Sequence, residues 1–192
     1  MADFRLDALI ALPWHDVNMA RNIEIKARVQ DLARLAAVAA SFADTGPLDI
    51  FQDDTFFACA SGRLKLRAFS DGTGELIFYR RPDQAGPKES FYVRTPTTDP
   101  DGLRDALSHA YGTVGRVVKH RVLYIAGRTR IHLDEVRGLG AFLELEVVLR
   151  DDEGRDDAAR EAAQLMERLA IDAAQLEEVA YVDLLQQHTI AT

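Results

Sequence analysis

Several short segments of the chain carry a charged or polar residue at every second position, with apolar residues between them. The clearest of these segments are residues 22–28, 63–67, 119–121, 128–134 and 144–146. A β-strand sends successive side chains to opposite faces, so each segment would have one apolar face and one charged face. Both signs of charge occur on those faces, which favours a site for a divalent metal ion and a polyanion over an ordinary solvated sheet.

The size and composition indicate a water-soluble globular protein. A chain of 192 residues can form one domain with a sizeable core, or one domain with a tail. The single cysteine, Cys59, excludes a disulfide within the chain and a cysteine-based metal site. No apolar run approaches the roughly 20 residues that cross a bilayer. The first 16 residues lack a basic leader and make a poor signal peptide, so we expect a cytoplasmic location with no membrane contact.

The charge of the chain is unevenly distributed. The net charge is −8, yet residues 61–130 hold 13 Lys or Arg against 7 Asp or Glu, and residues 131–192 hold 5 against 15. A nucleic-acid-binding protein would not normally be this acidic, so we expect no nucleic-acid partner. A basic pocket within an acidic shell suits a small, highly charged anion. The alternative is two solvated surfaces of opposite sign, against which the regular alternation argues.

The pattern of turns and apolar periodicity predicts one domain over residues 21–187. Residues 1–20 are expected to form an extension, with Met19 as an alternative start, and residues 188–192 a tail. The strands are predicted at residues 22–29, 51–60, 63–69, 75–80, 88–94, 116–126, 129–136 and 142–150. Helices are predicted at residues 31–42, from about 98 to 110, 156–169 and from 173 to about 187.

The short turns between the strands imply antiparallel pairing. A charged sheet face cannot form a dry core unless every charge is paired, so the apolar faces must pack on the helices and the charged faces must meet water. Closing the sheet with its polar faces inward satisfies both needs and removes free edges. We therefore predict an α+β fold: a closed eight-stranded antiparallel β-barrel, or tunnel, with a polar, charged lumen and helices packed outside.

Seven motifs together carry a family resemblance. They read, in chain order, NIEIKAR, FQDDTFF, RLKLR, LIFYRRPD, KHRVLY, RIHLDEV and LGAFLELEV. The chain resembles CYTH-domain proteins, the triphosphate tunnel metalloenzymes, over roughly residues 21–150. That family includes class IV adenylate cyclases, thiamine triphosphatases and inorganic triphosphatases. Each motif alone is weak evidence, but the ordered set is highly specific.

The resemblance implies a metal site. The family opens with Glu-x-Glu-x-Lys, and this chain has Asn22 in place of the first Glu. The implied ligands of a Mg²⁺ or Mn²⁺ ion are Glu24, Glu144 and Glu146, with Asp134 as a further candidate. Hard carboxylate oxygens suit Mg²⁺, and two carboxylates about 7 Å apart along one strand face can share one ion or bracket two. Asn22 removes one negative charge, which leaves the number of bound ions open.

The resemblance also implies a set of cations that contact phosphate oxygens. These are Lys26, Lys65, Arg67, Arg80, Lys119, Arg121 and Arg130. Among them the residues expected to act in catalysis are Lys26, Lys65, Arg67 and Arg121. Arg80 and Arg81 are adjacent, so only one can face inward, and the family pattern favours Arg80. His132 shares the inward parity and is either a phosphate contact or a structural histidine.

Three hypotheses for function remain open. The first is an enzyme acting on a triphosphate and most similar to the class IV cyclases. Such an enzyme would convert ATP to cyclic AMP and pyrophosphate. The alternative reaction is hydrolysis of thiamine triphosphate, tripolyphosphate or a nucleoside triphosphate. The second is a non-catalytic module that binds polyphosphate or nucleotide, which the loss of a carboxylate at Asn22 favours. The third is a structural protein with internal salt bridges, which the desolvation of so many charges disfavours. The acidic C-terminal helices would either cap the barrel or form a homodimer contact.

Overall fold

The computed structural model describes residues 19–84, 86–150 and 154–190. The strands are β1 (Met19–Arg28), β2 (Thr45–Phe57), β3 (Arg63–Phe69), β4 (Gly74–Arg80), β5 (Lys88–Thr97), β6 (Thr113–Ala126), β7 (Thr129–Val136) and β8 (Gly140–Val148). The helices are α1 (Leu32–Ala40), α2 (Pro100–Tyr111), α3 (Arg155–Leu169), α4 (Tyr181–Ile190) and a 3₁₀ turn at Ala173–Gln175. None of the helices in these described ranges is both long and apolar enough to span a membrane.

The eight strands form one closed barrel in the order β1, β5, β4, β3, β2, β6, β7, β8 and back to β1. Every neighbouring pair is antiparallel. The predicted α+β barrel is therefore confirmed. The predicted start of β2 at Phe51 was too late, because Gly46 and Pro47 lie within the strand, where the pairing with β6 shifts register between Thr45 and Leu48.

The largest apolar core lies on the outside of the barrel. Ile23 and Ile25 of β1 and Leu145 of β8 are fully or almost fully buried there, under α1 and α3. The helices present Leu35 and Leu169 to this layer, both without exposed surface. Since the apolar side chains of these strands point outward to the helices, their alternate polar side chains must point into the barrel.

The chain after α3 departs from the predicted helix over residues 173–187. A 3₁₀ turn is followed by an extended stretch in which Leu176 forms a β-bridge with Ala27 and the amide of Glu177 donates to the carbonyl of Lys26 at 2.9 Å. Because these backbone groups bond to β1, they cannot form helical hydrogen bonds, and the helix begins only at Tyr181. Residues 176–184, here called the closing segment, lie across one end of the barrel, with Tyr181 packed on Phe142.

The expected N-terminal extension falls almost entirely outside the described residues. Only Met19 and Ala20 of residues 1–20 are described, and their backbone belongs to β1. Of the expected tail, residues 191 and 192 also lie outside, and His188 is in α4. The closing segment favours the capping role over a dimer contact for the end of the chain, and the homodimer stays a prediction.

Candidate functional site

The barrel encloses a cavity of about 780 Å³ to which all eight strands contribute. Its charged lining residues are Glu24, Lys26, Asp54, Lys65, Arg67, Glu75, Arg81, Arg94, Lys119, Arg121, Arg130, Glu144 and Glu146. The structure thus brings together, in one lumen, six of the seven predicted cations and three of the four predicted metal ligands. Strand alternation places them there, since their neighbours along each strand face outward.

The orientation of the Arg80–Arg81 pair is the reverse of the one expected. Arg80 is exposed and lies near the rings of Phe78 and Phe91, with the guanidinium carbon 5.9 and 5.3 Å from their centroids. Arg81 lines the cavity and donates a hydrogen bond to Glu24. The prediction followed the family pattern, but Glu75, Ile77 and Tyr79 of β4 line the cavity, so strand alternation turns Arg80 outward and Arg81 continues the inward parity.

Asp134 does not sit where a metal ligand would. It is fully buried beyond the residues that line the cavity, and one of its oxygens accepts from Lys119 at 2.7 Å. Arg121 donates to both oxygens at 2.6 Å, and the Tyr181 hydroxyl donates at 3.1 Å. With both oxygens occupied by protein donors, Asp134 orients two lumen cations instead, which corrects the expectation.

Two inward cations were missed by the sequence reasoning. Arg94 shares the parity of Ser90 and Tyr92 on β5, so the alternation alone would have found it. Arg81 follows β4 directly and continues the inward parity of Glu75, Ile77 and Tyr79, so the same pattern pointed to it over Arg80.

Asp54 anchors one side of the lumen. It accepts from Lys65 at 2.7 Å and from two nitrogens of Arg67 at 2.8 and 2.9 Å. Burial alone would raise the pKa of the Asp54 carboxyl, but the cations of Arg67 and Lys65 outweigh burial and hold it well below its usual range. Burial and the Arg67 cation in turn lower the pKa of Lys65 to about 8. The carboxylate therefore fixes two cations facing the cavity.

Glu144, Glu146 and His132 form a second group on β7 and β8. Arg121 donates to Glu144 at 2.5 Å and Arg130 donates to Glu146 at 3.2 Å. Burial alone would raise the pKa of Glu146, but the neighbouring His132 ring and the Arg130 guanidinium lower it to about 2. Burial, together with the Arg121 cation, lowers the pKa of His132 to about 3. The group thus offers ionised carboxylates and a neutral imidazole at neutral pH.

Lys26 lies at the closed end of the lumen. Its ammonium donates to the carbonyl of Val179 at 2.7 Å, is 3.9 Å from Glu144 and lies 4.3 Å from the centroid of the Tyr181 ring. Burial and the Arg81 cation lower the pKa of Lys26 to about 7, against the opposing effect of Glu144. The side chain can therefore exchange a proton near neutral pH.

Cations outnumber carboxylates in the lumen. Eight Lys or Arg side chains and five carboxylates are among the described residues that line the cavity, and the cations stay in excess when Asp134 behind the wall is included. Uncompensated buried cations repel one another, so the lumen favours an anionic ligand with several oxygens. One potential ligand atom from each of His132, Glu144 and Glu146 lies within 4.8 Å of the other two, an arrangement that fits a divalent ion beside that anion.

The other end of the cavity has an apolar patch beside polar residues that include Gln52 and Glu75. Ile50, Leu123 and Phe69 line it and pack against one another. Along β2, Ile50 is six residues from Phe56, which contacts the closing segment, so the two ends are about 20 Å apart. The lumen therefore has a closed end at Lys26, a charged middle, and an end whose apolar patch, here called the apolar end, can pack against an organic group.

Comparisons with known proteins agree with this architecture. The family model for the CYTH domain matches residues 20–181. Adenylate cyclase CyaB of Aeromonas hydrophila is 26% identical over 174 residues, which are 86% of this chain and 88% of that protein.

Solved structures share the fold at lower sequence identity. A protein from Pyrococcus horikoshii is 20% identical with a TM-score of 0.75, and the match covers 85% of this chain and 99% of that one. A candidate adenylate cyclase from Vibrio parahaemolyticus is 18% identical with a TM-score of 0.71, covering 87% and 98%. The closed barrel, its charged lumen and the family match over most of the chain lead to one conclusion: the protein belongs to the CYTH family.

Proposed function

We propose that the protein is a divalent-metal-dependent enzyme that acts on a triphosphate held in the barrel, most similar to the class IV adenylate cyclases. The observation that carries the proposal is the excess of cations beside ionised carboxylates in one enclosed cavity. A triphosphate offers many oxygens to such a site, and a metal ion offsets the charge that the carboxylates and the phosphates share.

Each group has a role in this reaction. Lys65, Arg67 and Arg121, already oriented by carboxylates, would bind phosphate oxygens, with Lys119, Arg130 and Arg81 beside them. Glu144 and Glu146, with Glu24 nearby, would hold Mg²⁺ or Mn²⁺, which supplies Lewis-acid stabilisation of the reacting phosphate. In cyclisation, the ribose 3′ oxygen bonds to the α-phosphorus, the bond to the pyrophosphate oxygen breaks, and the hydroxyl proton leaves. Lys26 in its neutral form is our candidate to accept that proton.

The apolar end of the cavity favours an organic triphosphate over inorganic tripolyphosphate. Ile50, Leu123 and Phe69 would contact a base or another ring, whereas tripolyphosphate has no apolar part to place there. The similarity to the Aeromonas adenylate cyclase supports ATP as the substrate. Hydrolysis is the alternative reaction, in which water is the nucleophile: it bonds to the terminal phosphorus of ATP, thiamine triphosphate or tripolyphosphate, and the bond from that phosphorus to the bridging oxygen breaks.

Product analysis tests the proposal. Purified protein is incubated separately with ATP, thiamine triphosphate and tripolyphosphate, with Mg²⁺ or Mn²⁺, and the products are separated by chromatography and mass spectrometry. We expect cyclic AMP and pyrophosphate in equal amounts from ATP. Release of phosphate without cyclic AMP would select the triphosphatase. Tight triphosphate binding with no product would select the binding module and overturn the enzyme proposal.

A further inference from the structure

His132 is a buried side chain whose contacts in the protein do not explain its position. It lies on the inward face of β7, opposite Glu144 of β8, and is 4% exposed. Its Nδ1 atom has no hydrogen-bond partner among the residues that the structure describes. Leaving a buried polar atom without a partner is costly, so native proteins rarely do so unless a ligand or solvent satisfies it. The imidazole is therefore positioned for a group that the described part of the chain does not supply.

The atoms around Nδ1 indicate what that group is. Nδ1 is 3.8 Å from one oxygen of Glu146 and 4.0 Å from one oxygen of Glu144. These distances are too long for hydrogen bonds. Two atoms bound to one ion at about 2.1–2.2 Å are separated by up to about 4.4 Å, so both spacings are within the reach of one shared cation. The largest separation within the group is under 4.8 Å, and small carboxylate rotations would close it.

Among the described residues, the converging group does not include the other two candidate ligands, Glu24 and Asp134. Glu24, which lies opposite Glu146 in the β1–β8 register, accepts a hydrogen bond from Arg81. Asp134 has both oxygens bound by Lys119, Arg121 and Tyr181. Glu144 and Glu146 each accept one arginine too, but their oxygens converge with the imidazole nitrogen. The converging donor set is thus one imidazole nitrogen and two carboxylates, a different chemistry from a set of oxygens alone.

We infer that His132 is a ligand of the metal ion, together with Glu144 and Glu146, and that the site selects a first-row transition ion such as Mn²⁺ or Co²⁺ over Mg²⁺. An imidazole nitrogen adds affinity for first-row transition ions, least for Mn²⁺ and more for Co²⁺, whereas Mg²⁺ demands hard oxygens. The inference rests on the proposed function only in assuming that this lumen holds a divalent ion. It adds the identity of a ligand and the class of ion.

The test measures metal binding without any nucleotide. Isothermal titration of the full chain with MnCl₂ and with MgCl₂ is compared for wild type, His132→Gln and His120→Gln. His120 is the matched control, because it lies on the outer face of β6, stacked on Phe51. We expect tighter binding of Mn²⁺ than of Mg²⁺ in wild type. In His132→Gln, Mn²⁺ affinity should fall by at least about tenfold while Mg²⁺ affinity changes much less, and His120→Gln should behave as wild type.

A spectroscopic measurement separates ligation from indirect effects. Electron spin echo envelope modulation of bound Mn²⁺ should show coupling to an imidazole ¹⁴N nucleus in wild type and in His120→Gln. Absence of that coupling in wild type, its survival in His132→Gln, or failure of the protein to bind Mn²⁺ would each overturn the inference. Because no substrate is present, the spectroscopic outcome does not depend on turnover. If the protein forms product with Mn²⁺ but shows no ¹⁴N coupling, only the ligand assignment is refuted. If it shows the coupling but forms no product from any triphosphate, only the proposed reaction is refuted.

Discussion

Two adjacent residues of β2, Asp53 and Asp54, form the same kind of ion pair with arginine on opposite faces of the barrel. Asp53 faces outward and accepts from Arg116 at 2.7 and 2.5 Å, while the side chain of Arg116 stays 62% exposed. Asp54 faces inward and accepts from Arg67 at 2.8 and 2.9 Å, with only 3% of its own side chain exposed. Both pairs are two-pronged Arg–carboxylate contacts, so desolvation is what distinguishes them.

The comparison shows that exposed and buried ion pairs contribute differently to this protein. An exposed pair contributes about 0–1 kcal/mol and is screened by salt. A buried ion pair gives no net stabilisation of the fold relative to apolar packing, although removing one partner leaves a buried, unpaired charge. The inner pairs are therefore better explained by the need to hold cations facing an anion than by stability. The predictions below set inner residues against outer ones.

The largest difference is expected in stability, between Asp54→Ala and Asp53→Ala. Removal of Asp54 leaves Lys65 and Arg67 facing each other without their shared carboxylate, which should cost about 3–5 kcal/mol in the free energy of unfolding. Removal of Asp53 should cost no more than about 1 kcal/mol. Urea unfolding followed by circular dichroism measures both. Similar losses for the two variants would mean that the lumen is as well solvated as the outer surface.

The next difference is expected in catalysis, between Arg67→Ala and Arg116→Ala. If Arg67 stabilises charge on the reacting phosphate, its loss should lower kcat/KM by roughly 10²–10³-fold, as for other preorganised donors. Arg116 lies outside the barrel, and its loss should leave kcat/KM unchanged. Steady-state assays with the substrate identified by product analysis provide the values. Equal activity of the two variants would remove Arg67 from the proposed machinery.

Acid should destabilise the lumen through its depressed carboxyl groups. The folded pKa of Glu146 is about 2 against an ordinary value of 4.5. Its stabilising contribution is therefore present above about pH 4.5 and is lost as the pH falls toward 2, by up to about 3 kcal/mol. Urea unfolding at pH 2.5–6 in EDTA should show a shallower loss for Glu146→Gln than for wild type. Superimposable pH profiles would contradict the assignment.

The smallest difference is expected between Tyr181→Phe and Tyr111→Phe. The Tyr181 hydroxyl donates to Asp134, so its removal should cost about 1 kcal/mol in the free energy of unfolding. Tyr111 is 56% exposed, and its substitution should have no measurable effect. The urea midpoints of the two variants distinguish these outcomes. An unchanged midpoint for Tyr181→Phe would show that the closing segment is not held by this bond.

The alternation in the sequence predicted most of the inward charged residues. Glu24, Lys65, Arg121 and Glu146 all face the lumen as their alternation requires. Arg94 was missed although its parity on β5 is inward, and the family pattern chose Arg80 although the parity of Glu75, Ile77 and Tyr79 points to Arg81.

The parity of a residue also does not say what its side chain contacts. Asp134 was predicted to bind metal, but the cations of β6 and the hydroxyl of Tyr181 occupy its oxygens. His132 was left open between a structural and a functional role, since its neighbours come from a strand whose register the sequence does not give.

By itself, the sequence determined the eight-stranded closed barrel, the sign of the charge on its inner face and the family resemblance, because local alternation and turn residues specify which side of each strand is apolar. Only the tertiary structure decided which carboxylate pairs with which cation, that residues 176–184 close one end, and that His132 meets Glu144 and Glu146. These outcomes depend on strand register and on contacts between residues distant in the chain, and the short-range pattern of the sequence does not encode them.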